Sequence, residues 1–105
     1  MSFKLKFNFK IYNETNSYLK DLKIVDEEGL LHNPTLNKLD KKNFNNLQEV
    51  YMHLYKPEKI YLKFSDEHGV ERKLLIFKNI KEILKLNYEI IIEKDEKENY
   101  NAKVA

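Results

Sequence analysis

DKKNFNNLQEVYMHLYKP, residues 40–57, is the stretch on which the fold turns. Phe44, Leu47, Tyr51 and Leu54 recur at spacings of three and four, the period that gathers apolar side chains on one face of an α-helix. Asp40 or Asn43 supplies an N-cap oxygen, and Pro57, which disfavours the α conformation in the residue before it, stops the segment. The spacing therefore predicts a helix over about 41–55 with those four residues facing a core.

The flanking sequence reads mainly as strands. FKLKFNFKIY (3–12) alternates strictly, with Phe3, Leu5, Phe7, Phe9 and Ile11 on one side and Lys4, Lys6, Asn8, Lys10 and Tyr12 on the other. A period of two is that of a half-buried strand. Asn13 to Ser17 reads as a turn, and residues 15–25 are either a short helix or a strand, with strand preferred for 23–25. KIVDEEGL (23–30) and KFSDEHGV (63–70) echo each other, and both place a glycine, Gly29 and Gly69, where a type I turn is followed by a residue at positive φ. The second of these hairpins pairs 59–65 with 70–77. A short helix follows at about 79–85, and a strand at 88–93 whose Ile90-Ile91-Ile92 run points to a central position. After Lys94 apolar content falls. The chain thus reads as a single α+β domain over 1–93, an antiparallel sheet of five or six strands packed on the main helix, with a flexible acidic tail over 94–105.

Composition narrows the function classes. The chain has 105 residues, one domain's worth, with 42% hydrophobic and 34% charged residues. It has no cysteine, which removes disulfides, thiolate nucleophiles and thiolate metal sites. Nearly all its basic residues are lysine, Arg72 being the single arginine, and asparagine, isoleucine and tyrosine are frequent. Such usage follows AT-rich coding and suits a low-GC bacterium or its phages and plasmids. The net charge of +2 is mild, and its balance runs from a mildly basic body to an acidic end carrying Glu89, Glu93, Asp95, Glu96 and Glu98. A dedicated nucleic-acid binder is far more basic. No apolar run reaches the ~20 residues of a membrane span, and the first residues do not read as a signal peptide, so the expected compartment is the cytoplasm.

Catalytic constellations do not emerge. His32, His53 and His68 lack metal-ligand spacing, and Ser65-Asp66-Glu67-His68 is a tight turn whose neighbouring side chains diverge. The acidic turns Asp26-Glu27-Glu28 and Asp66-Glu67 lack the layout of a calcium loop, and two distant glycines make no phosphate cradle. The expectation is a non-enzymatic protein with no cofactor, no metal and no small-molecule substrate.

The outward sheet face is the more informative feature. With the alternate residues turned to the core, Lys4, Lys6, Lys10, Tyr61, Lys63, Lys73, Leu75 and Phe77 are expected to share one lysine-rich face carrying apolar side chains that water should not meet uncovered. A protein partner or a second copy of the chain is the expected occupant, as for a phage- or plasmid-encoded accessory protein such as a host-defence inhibitor or an assembly factor. A rival reading takes 34–41, the 43–55 helix and the 59–77 hairpin together, an element order that resembles a winged helix-turn-helix domain. That resemblance implies DNA binding by Asn43, Asn45, Asn46, Gln48 and Lys56. The acidic wing tip at Asp66-Glu67 and the single arginine favour the protein partner.

Overall fold

The computed structural model describes residues 4–27, 44–53, 59–78 and 85–105. Among these the protein is built of strands alone: β1 (Lys4–Asn13), β2 (Lys20–Val25), β3 (Phe44–His53), β4 (Ile60–Ser65), β5 (Glu71–Phe77), β6 (Asn87–Lys94) and β7 (Tyr100–Val104). They form a four-stranded sheet in the order β3-β1-β6-β7 and a three-stranded sheet in the order β2-β4-β5. The apolar faces of the two sheets meet in one core, Phe7, Phe9, Ile11, Val50, Tyr88, Ile90 and Ile92 from the first and Leu22, Ile24, Ile60, Leu62, Phe64 and Phe77 from the second. This is the arrangement of a β-sandwich.

The α+β expectation is therefore corrected. The segment expected as the main helix is β3, paired antiparallel with β1 from Lys4↔His53 to Asn13↔Phe44. Val50, which the helical stripe leaves out, is fully buried opposite Phe7. The physical reason lies in the residues between the stripe. Asn45, Asn46, Val50 and His53 are weak helix formers, while β1 offers ten residues of backbone to pair with. Of the second expected helix, 79–84 lie outside the described residues.

The strictly alternating segment is β1, and its buried Phe7, Phe9 and Ile11 are the middle of the core. β6 pairs parallel with β1, Phe9↔Tyr88 and Ile11↔Ile90, so it is central as its isoleucines suggest. Ile90 and Ile92 are fully buried and Ile91, on the other side, half-buried. Parallel neighbours need a crossover, and here the chain visits the other sheet, as β4 and β5, between β1 and β6. Residues 94–105, expected as a flexible tail, contain β7, paired with β6 from Lys94↔Tyr100 to Ile90↔Val104. Tyr100, Ala102 and Val104 pack against the core.

Aromatic rings tie the sheets together. Phe77 of β5 lies 6.3 Å from Phe9 and 5.1 Å from Tyr88 between ring centroids, and Phe9 stacks on Tyr88 at 5.8 Å. Asn13, Thr15 and Ser17 are buried and bond to one another within their turn: the Asn13 amide donates to the Ser17 carbonyl at 2.7 Å, and the Thr15 hydroxyl donates to Asn13 Oδ1 at 2.6 Å. The sequence Asn13-Glu14-Thr15 matches the pattern of an N-glycosylation site, but the Asn13 side chain is fully buried in this turn.

Candidate functional site

The β4–β5 hairpin has the turn chemistry its sequence predicts. Gly69 sits at φ +78°, its N–H donates to the Asp66 carbonyl at 3.0 Å, and the Asp66 N–H donates to Val70. The β6–β7 hairpin repeats this geometry without glycine: the Glu98 N–H donates to the Asp95 carbonyl at 3.1 Å, with Glu98 at φ 63°. Both aspartates accept backbone N–H groups from inside their turns, Asp66 from His68 and Val70 and Asp95 from Lys97 and Asn99.

These turns and the Asn13–Ser17 turn frame a polar network that sequence reasoning missed. The Asp66 side chain, 1% exposed, also accepts a hydrogen bond from Arg72 Nε at 3.0 Å. Burial pushes the Asp66 carboxyl up, but the bonds from Val70, Arg72 and His68 outweigh it and hold the group below the usual carboxylate range. Arg72 lies 5.1 Å over the Tyr100 ring, and Phe64 meets that ring edge-on at 5.4 Å. Lys94 donates to Ser17 Oγ at 2.7 Å and lies 3.6 Å from Glu67. Burial, and then the charges of Asp66 and Glu67, push the Tyr100 phenol up. Glu67, His68 and Glu98 bring one ligand atom each within 4.8 Å of one another, all exposed. Because the Lys94 ammonium already approaches the Glu67 carboxylate, the cluster reads as part of an ion-pair network that closes one end of the sandwich. The signal for it was Arg72, the one arginine, six residues after Asp66 across a tight turn.

The expected binding residues are split between the two sheets. Lys4, Lys6 and Lys10 belong to β1, whereas Tyr61, Lys63, Lys73, Leu75 and Phe77 belong to β4 and β5, so the single lysine face is corrected to two separate surfaces. Phe77 is corrected as well, being 9% exposed in the core. The cause is a bulge: Ile60 pairs with Phe77 but Tyr61 pairs with Leu75, so Ile76 is extra and the alternation shifts by one. Asn45, Asn46 and Gln48 lie on β3, a strand where the winged-helix reading needs a recognition helix, and Asn43 and Lys56 lie outside the described residues.

What remains together is the outer face of β2-β4-β5. Tyr61 and Leu75 are cross-strand partners there, with Leu75 42% exposed and the Lys73 ammonium 4.4 Å from the centre of the Tyr61 ring. Lys63 stands opposite Lys23 on one side and Lys73 on the other. An open depression of about 380 Å³, bordered by Asp21, Lys23, Lys63, Ser65 and Glu71, adjoins this row.

No protein family matches the sequence, and no curated protein resembles it significantly. A solved NMR structure of a protein from Eubacterium rectale is similar over 94% of this chain and 87% of that one, with a TM-score of 0.61 and 17% identity. At that identity the likeness shows the fold alone.

Proposed function

We propose that the protein is a non-enzymatic binding module of the cytoplasm that engages a protein partner through the outer face of β2-β4-β5. The observation that carries this reading is the Tyr61–Leu75 pair, an aromatic and an aliphatic side chain side by side on a lysine-bearing sheet face, with Leu75 42% exposed. Aromatic and aliphatic anchors ringed by polar side chains are how binding surfaces concentrate their energy. Among the described residues no helix is long and apolar enough to cross a membrane.

The test is capture of a partner from a low-GC bacterial lysate by the parent protein and by the Tyr61→Ser/Leu75→Ser variant. Phe77 is left intact because it belongs to the core. The reading expects the variant to keep its circular dichroism spectrum and lose the captured protein. Equal capture by both would contradict it.

A further inference from the structure

We propose that the partner segment recognised by this face is acidic, carrying two or three carboxylates beside one apolar side chain. The inference rests on the binding role of the β2-β4-β5 face and adds the chemistry of what it takes. Lys23, Lys63 and Lys73 stand in register across all three strands, Lys23↔Lys63 and Lys63↔Lys73. Neighbouring strands are only ~4.8 Å apart, and like charges directly opposite one another work against pairing. Among the described residues the row is offset only in part. Lys63 meets the exposed Glu71 at 3.2 Å, and Lys73 lies against the Tyr61 ring. A row of ammonium groups held together at a cost to the sheet is complementary to carboxylates brought from outside.

The neighbouring row selects among anions. Two residues along β4 and β5, ~7 Å away, Tyr61 and Leu75 form an apolar pair on the same face, and the matching β2 residue, Val25, is buried opposite Tyr61. A peptide can place an apolar side chain there while its carboxylates meet the lysines. A nucleic-acid backbone offers phosphates without that aliphatic anchor. The row also lacks the planar arginine forks that phosphate recognition favours.

The experiment is an NMR titration of the whole protein with a short synthetic peptide of three glutamates next to a leucine. The same peptide with glutamines for glutamates, and a short single-stranded oligonucleotide, are run beside it. The acidic peptide is expected to shift the amides of Lys23, Tyr61, Lys63, Lys73 and Leu75. Its affinity should fall about tenfold in the Lys23→Gln/Lys63→Gln/Lys73→Gln variant, as expected of three exposed ion pairs, and should weaken as salt rises past ~0.15 M. That variant should melt no lower than the parent, because the like-charge row is relieved. Equal binding of the glutamine peptide at Tyr61 and Leu75 would overturn the acidic partner and leave the binding face standing. Tighter binding of the oligonucleotide at the same salt would also overturn it. No shift on this face with any of the three probes would overturn both readings.

Discussion

Glu98 occupies the position in its turn that Gly69 occupies in the other, and it holds φ 63° with a side chain that disfavours it. A left-handed conformation costs a residue with a Cβ ~1 kcal/mol relative to glycine. Glu98→Gly should therefore raise stability by about 1 kcal/mol, seen as a rise of roughly 4–8 °C in Tm, and Gly69→Ala should lower it by a similar amount. Asp66 is the costly residue to lose. Its carboxylate serves two backbone N–H groups and Arg72, so Asp66→Ala should cost about 2–3 kcal/mol in urea unfolding. Because its folded pKa is depressed, its contribution is fully present above the ordinary carboxylate value of ~3.9 and is lost as pH falls through the folded one. Asp66→Asn should flatten the part of the acid denaturation curve that lies below about pH 4. Tyr100 acts at the other end: its pKa is raised, so its contribution is present below ~10 and is lost as pH rises through the folded value.

At the scale of elements, β7 separates the structure from the reading that composition invites. Tyr100, Ala102 and Val104 pack on the core from β7, so removing residues 100–105 should lower stability by more than about 3 kcal/mol. A flexible tail would be removed without effect. The alternation Tyr100, Ala102, Val104 was legible, but the turn before it lacks a glycine and the segment is charged, which masked the strand. β1 and the β4–β5 hairpin were legible because strict alternation and a glycine turn each admit one physical reading. β3 was not, because a spacing of three and four in a short amphipathic stretch is met by chance in a strand, and the partner that decides the matter, β1, lies more than thirty residues away in sequence. The exposure of Phe77 was misread for a related reason. A bulge inserts one residue and moves every side chain beyond it to the other face, and no residue type in ERKLLIF announces it.

For the whole molecule, the two-sheet arrangement decides which surfaces exist. Packed on a helix, one sheet would carry all the lysines on one side; as a sandwich, β1 presents Lys6 and Lys10 on one outer face while Lys23, Lys63 and Lys73 lie on the other sheet. The same arrangement makes Phe9 a central side chain and Leu75 a peripheral one. Phe9→Ala should cost about 3–5 kcal/mol, and Leu75→Ala less than about 1, in chemical denaturation. Four of the five residues of the binding face were legible, Tyr61, Lys63, Lys73 and Leu75; Lys23 joined them only through the β2–β4 register, a contact across forty residues that sequence periodicity does not encode. The two-sheet arrangement depends on residues 44–53 being a strand. Through-space proton contacts in NMR test it directly: it predicts cross-strand contacts of Val50 with Phe7 and of Ile11 with Asn46, together with contacts between the parallel neighbours β1 and β6. A run of contacts between residues three apart over 44–53, with none to β1, would contradict it.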